Sequence, residues 1–136
     1  THTCSFFGKK RFRHFCYFFA VKYSCHFLTN KLAQKEFLSA KLYYNLGTYL
    51  GNNYLSAEII AKNALKNYPT NAYQEDLNWI ILQAKYQQML NSVEEKREDR
   101  AREAEDEYYN FTTEYPNSKH RNTADRIHKE IKKILQ

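Results

Sequence analysis

Glycine and proline are scarce in this chain. Three Gly and two Pro in 136 residues leave little turn chemistry, so an architecture of many short strands is excluded and long helices are favoured. Acid is missing from the first quarter. Residues 1–35 hold seven Lys and Arg and no Asp or Glu, whereas residues 36–136 hold 14 bases and all 15 acids. The net charge of +6 therefore belongs to the first quarter. The nearly neutral remainder gives no reason to expect nucleic acid as a partner. Long apolar runs are missing as well. The longest in the basic region, Phe15–Val21, stops at Lys22, far short of the roughly 20 residues that span a bilayer.

The division in charge is also a division in residue type. Cys4, Cys16 and Cys25 and seven of the nine Phe lie before residue 28. Residues 1–29 thus form a basic, aromatic, Cys-rich segment, and residues 30–136 a helical repeat domain. Several readings of the segment stand side by side. Lys9–Arg13 followed by Phe15–Val21 has the order of a secretory signal, but Lys22, Tyr23 and Ser24 before Cys25 do not suit lipidation. Cys4, Cys16, Cys25, His14 and His26 are metal-ligand types without the close pairing of a zinc site. Lys9, Lys10, Arg11 and Arg13, with Phe12, Phe15 and Tyr17, have the composition of a nucleic-acid arm. An abrupt composition change where a clean helical pattern begins is also what out-of-frame, non-native or disordered sequence gives. The chain opens on Thr, and a fragment of a longer protein is expected.

What is present is periodic. Ala33, Phe37, Ala40, Tyr44 and Gly47 recur at helical spacing, predicting a first helix that Thr29 or Asn30 caps and Gly51-Asn52-Asn53 ends. A second helix from Tyr54 carries Ala57, Ile60, Ala61, Ala64, Leu65 and Tyr68 on one face, and Pro69 stops it. A third, from about Ala72 to Leu90, carries Tyr73, Leu77, Ile80, Ile81, Ala84 and Gln88. Trp79 is off that stripe and is expected to be buried. Ser92–Glu95 reads as a capping box before a fourth helix that ends at Glu114. Its opening turns are charged and expected to be solvated, with Glu98 and Arg102 placed for an ion pair. Its apolar face is Ala101, Ala104, Tyr108, Phe111 and Tyr115. Asn117 or Ser118 caps a fifth helix with Ala124, Ile127, Ile131, Ile134 and Leu135 inward.

Two of these helix ends repeat. Ala57-Glu58, Asn63 and Tyr68-Pro69 recur 47 residues later as Ala104-Glu105, Asn110 and Tyr115-Pro116. The expected fold is therefore all-α: a tetratricopeptide-like solenoid of helical hairpins, about five helices in all. The structural residues that define the repeat are Tyr44, Gly47, Tyr54, Ala57, Ala64, Tyr68, Pro69, Ala104, Tyr115 and Pro116. Tyr68 and Tyr115 are expected to pack their rings at hairpin ends while their hydroxyls reach a backbone group or water. Two and a half repeats is few, and further repeats upstream are expected.

Lys31–Gln136 resembles the C-terminal repeats of the BamD family, the outer-membrane assembly lipoproteins of Gram-negative bacteria. The resemblance rests on Ala40–Gly47, on Tyr54-Leu55-Ser56-Ala57 and on the two Tyr-Pro elements. The charged insertion Ser92–Arg102 looks like the Bacteroidetes form. The resemblance implies a non-enzymatic scaffold of the machinery that folds β-barrel proteins into the outer membrane. It implies partners among the periplasmic domains of the barrel subunit and unfolded barrel proteins. The implied location is the periplasmic face of the outer membrane, reached through a lipid anchor that this stretch lacks. Alternatives are a generic tetratricopeptide adaptor and, through the basic arm, a nucleic-acid-binding module. Catalytic motifs are missing: no Gly-rich phosphate loop, H-E-x-x-H or G-x-S-x-G occurs. No catalytic residue, cofactor or metal is expected. His120 and His128 are eight apart, too far for one ion, and these histidines with Glu103, Glu105 and Glu107 read as groups on solvated faces.

Overall fold

The computed structural model describes the backbone of residues 8–136 and the side chains of residues 23–136. Expectations for Cys4, His14, Cys16 and the Lys9–Arg13 cluster fall outside the described side chains. Among the described residues all regular structure is helical: α1 (Gly8–Leu46), α2 (Asn53–Asn67), α3 (Gln74–Leu90), α4 (Glu94–Glu114) and α5 (Arg121–Leu135). Each packs on the next, and α1 also touches α3, as in a stack of helical hairpins.

Helix α1 does not start at Thr29 or Asn30. Thr29 Oγ1 donates to the Cys25 carbonyl at 2.6 Å, and Asn30 Nδ2 lies 3.1 Å from His26 Nδ1. Both are contacts one turn back within a continuing helix. Extending a helix needs only the absence of a breaker, and neither Gly nor Pro occurs between Gly8 and Gly47. The helix also ends earlier than Gly51, at Leu46. Gly47 takes φ +58°, and a Cβ there would lie 2.8 Å from the Tyr54 hydroxyl. The turn and the close approach of Tyr54 both demand glycine. Asn52 then caps α2 by accepting from Leu55 N–H at 3.3 Å.

The repeated Tyr-Pro ends have one backbone geometry. Tyr68 has φ −129° and ψ 68°, and Tyr115 has φ −126° and ψ 69°. Each donates its N–H to the carbonyl four residues back at 2.9 Å. Each precedes a proline, which pushes it out of helical geometry. The chain then turns alike in both places. Asn71 Oδ1 accepts from Tyr73 N–H at 2.7 Å, and Ser118 Oγ accepts from His120 N–H at 3.0 Å. The following helices, α3 and α5, also start 47 residues apart. Their N-caps are Tyr73 and His120, neither with a side-chain cap bond. Ser118 therefore shapes the turn before α5 and does not cap it. The ring of Tyr115 lies against Phe111 at 5.6 Å. Its hydroxyl meets the side chains of Asn78 and Glu114, each at 3.2 Å, where a backbone group or water was expected.

The second hairpin differs at the start of α4. Helices α2 and α4 end in register but have 15 and 21 residues, so residues 94–99 are the extension. Ser92 forms no capping box. Val93 is the N-cap, with extended backbone and no side-chain acceptor. Ser92 Oγ donates to the Gln88 carbonyl and accepts from Arg100. Arg100 Nη1 also donates to the Gln88 carbonyl at 3.1 Å. The serine and arginine thus close the end of α3, whose last carbonyls have no helical partner. The rest of the extension is exposed apart from half-buried Arg97, and Glu98 pairs with Arg102 at 2.5 Å.

Two apolar clusters fill the stack. Ala40, Ala57, Ala61, Ala64, Leu77, Ile80 and Ile81 form the first, with Phe37, Tyr44 and Tyr73 against it. Trp79, Leu82, Met89, Ala101, Ala104, Tyr108, Phe111, Ala124, Ile127 and Ile131 form the second. The alanines on α2 let helices approach closely, so the branched side chains of α3 fill the gap. Trp79 is buried, off the first stripe of α3 because it belongs to the second cluster.

Gly47→Ala is expected to cost about 2 kcal/mol, from the left-handed backbone and the displaced Tyr54 ring. Chemical denaturation of Gly47→Ala alone and combined with Tyr54→Phe checks this. Removing the Tyr54 oxygen recovers only the steric part.

Candidate interaction surface

The faces of α3 that remain after both clusters are two narrow polar edges, and each makes a distinct site. One edge carries Asp76 and Gln83, the other Asn78 and Lys85.

The first edge borders a groove of about 390 Å³ between α1, α3 and the start of α5. Phe37, Tyr44, Trp79 and Ile80 give it apolar surface. Lys41 and Asn45 enter from α1, Asp76 and Gln83 from α3, and Lys119 and His120 from the turn before α5. The His120 ring stacks on Trp79, with centroids 4.6 Å apart and planes 5° apart. Asp76 Oδ1 lies 2.9 Å from Lys119 Nζ and 3.6 Å from His120 Nε2. The hydrogen bond to Asp76, and then its charge, hold the Lys119 ammonium above the usual lysine range. Lys41 makes no ion pair among the described residues. Burial, reinforced by Tyr54, raises Tyr44 above the usual tyrosine range. An apolar floor with cations and primary amides on its rim suits an extended polypeptide: the floor takes side chains, and the amides pair with backbone.

The second edge faces α2 and α4. Lys85 lies 3.7 Å from both Glu103 and Glu107 and 4.0 Å from Glu58. Glu58 also accepts from Lys62 at 2.6 Å and from Gln88 at 2.7 Å. The side chains of Lys85 and Glu58 are only 13% and 12% exposed, so this network is a buried strut between helices. Glu105 and His128 are largely covered too. His128 stacks on Tyr108 at 4.1 Å, and burial, with Lys132, lowers it below the usual histidine range. The reading of these carboxylates and histidines as groups on solvated faces is corrected for Glu105, Glu107, His120 and His128. Only Glu103 is mainly in water. Their partners come from other helices, so helical periodicity within one element gives no sign of them.

The repeat-defining residues lie in the frame around these sites. Ala57, Ala64 and Ala104 are fully or almost fully buried, and Tyr54 and Tyr68 are half-buried. Pro69 and Pro116 are exposed at the turns. Tyr44 alone of the set also borders the groove. Among the described residues no group of three His, Cys, Asp or Glu is placed to hold a metal ion. None of their helices is long and apolar enough to cross a membrane. No protein-family model and no curated protein sequence matches the chain.

Truncating Lys85 to Ala is expected to cost about 2–3 kcal/mol, because it leaves the Glu58 and Glu107 carboxylates facing each other in partial burial. Adding Glu107→Gln should recover part of that loss in a double-mutant cycle read by denaturation. The Tyr86 hydroxyl donates to Glu130 across α3 and α5. Burial, then this bond and the glutamate charge, push Tyr86 up to about 12. Its contribution to stability is thus fully present below about pH 10, the unfolded value, and is lost as pH rises through 12. Denaturation of wild type and Tyr86→Phe across that range should show their difference shrinking as pH rises.

Proposed function

We propose that this chain is a non-enzymatic scaffold that binds protein partners through its helical repeats. Its groove holds an extended segment of a partner. The observation that carries this reading is the groove itself: the Trp79–His120 stack and Ile80 beneath a rim of Lys41, Asn45, Gln83 and Lys119. Helical repeats work as binding surfaces because each unit contributes one strip to a larger face.

The finer reading is a role in outer-membrane β-barrel assembly at the periplasmic face of that membrane. The partners would then be the periplasmic domains of the barrel subunit and unfolded barrel proteins. What supports it is the resemblance of Lys31–Gln136 to the BamD family. A generic adaptor is the coarser alternative.

A photo-crosslinking amino acid at position 83, in cells, tests both levels. Adducts with the periplasmic domains of the barrel subunit are the expected outcome. Adducts confined to unrelated proteins would leave the adaptor and remove the assembly role. If position 83 gives no adduct and exposed position 122 on α5 does, the groove is not the contact.

A further inference from the structure

Helices α1 and α3 run in the same direction along the groove. Phe37 stacks on Tyr73 at the start of α3, with ring centroids 5.2 Å apart, and Tyr44 further along α1 meets Gln87 near the end of α3. That stack recurs one hairpin later. Tyr73 and His120 are the N-caps of α3 and α5, and each lays its ring on an aromatic of an earlier helix, Phe37 of α1 and Trp79 of α3. The two stacks fix the aromatic floor. The walls come from α1, α3 and the turn before α5, so a further hairpin stacked ahead of α1 would lengthen this face without filling the groove.

The groove has one cation more than it has acids. Lys41 and Lys119 both border it, and Asp76 is the one acid among its described lining residues. Asp76 is already engaged by Lys119 and His120. Glu75 does not border the groove; it accepts from Ser118 Oγ at 2.7 Å. Glu36, the nearest acid on α1, stands five residues before Lys41, off the spacings at which helical side chains meet. Lys41 is therefore exposed and without a counter-charge. One turn to either side of it on α1 stand Phe37 and Asn45.

This layout sets the pattern of what fits. In an extended chain, side chains two residues apart lie on one side, about 6.6–6.8 Å from each other. A helical turn rises about 5.4 Å. An acid placed at Lys41 thus brings the next side chain on that side over Phe37 or Tyr44, which are apolar floor.

We infer that the groove selects an acidic extended segment of a partner protein, with a carboxylate side chain two residues from an apolar one. The carboxylate pairs with Lys41, the apolar side chain packs on the floor, and Asn45 and Gln83 meet the backbone. The inference rests on the reading of the groove as the seat of an extended segment, and adds which segments it takes. Asp76 acts as an internal competitor: by holding Lys119 it keeps the second lysine from the ligand.

The test uses the whole chain and its single tryptophan. Trp79 borders the groove, so its fluorescence reports occupancy there. Three acetylated and amidated peptides are titrated, Ser-Leu-Ser-X-Ser-Leu-Ser, with Glu, Gln or Lys at X as the only variable. At low salt the Glu peptide should bind about fivefold or more tighter than the Lys peptide, with the Gln peptide between them. Lys41→Glu, with unchanged helical circular dichroism, should reverse that order. Asp76→Asn, which releases Lys119, should tighten the Glu peptide about threefold and leave the Gln peptide unchanged. Lost structure cannot produce that gain. Equal binding of the three peptides overturns the inference and leaves the groove reading in place. If none of them changes Trp79 fluorescence, both fall. A concentration-dependent dimer that Lys41→Glu abolishes in sedimentation also overturns the inference, since a second copy then fills the groove.

Discussion

The structure depends on one helix being apolar on two opposite sides. Helix α3 contributes Leu77, Ile80 and Ile81 to one cluster and Trp79, Leu82 and Met89 to the other. Without it, α1–α2 and α4–α5 would each be a hairpin with an uncovered face, and a lone hairpin buries too little apolar surface to offset its lost chain entropy. Double burial leaves α3 two polar edges. Asp76 and Gln83 border the groove on one. Lys85 and Asn78 join the stack on the other, to Glu58, Glu103 and Glu107 and to Tyr115. Groove and strut are both consequences of the way α3 is buried.

The repeat is kept by local backbone rules at its ends and relaxed in its lengths. Tyr68 and Tyr115 leave their helices with φ and ψ within a few degrees of each other, and Asn71 and Ser118 turn the chain by equivalent hydrogen bonds. Helix α4 then extends past the start of α2 by a charged run that adds no apolar surface. It is held back on α3 where Arg100 reaches the Gln88 carbonyl. Extra length at an exposed helix end is tolerated because it disturbs neither cluster.

Much of the fold was legible in the sequence. Five helices, two Tyr-Pro stops and the inward stripes of α2, α4 and α5 followed from spacing alone. The errors lie mostly at caps. Thr29 and Asn30 are good cap residues, but nothing there breaks the helix, and each finds a partner one turn back. Ser92 resembled a cap for α4 and instead serves the end of α3, because Arg100 returns from the next helix to meet it. Ser118 lies two residues before the N-cap of α5 and shapes the turn instead. A cap motif states which side chains can accept a hydrogen bond, and the neighbouring backbone decides which one does.

The sites were less legible than the fold. Trp79 was expected to be buried, but its stack on His120 joins elements 41 residues apart in sequence, and no periodicity predicts that. Glu107, Glu105 and His128 looked solvated because their own helix surface is charged. They are covered by residues of α3, α4 and α5 that the chain brings back over them. By itself the sequence determined where helices stop and which stripes are apolar, because φ restrictions at Pro and Gly and the 3.6-residue period act within a few residues. Only the tertiary structure decided which charges are buried and which edge of α3 forms a groove, because burial depends on what arrives from elsewhere in the chain.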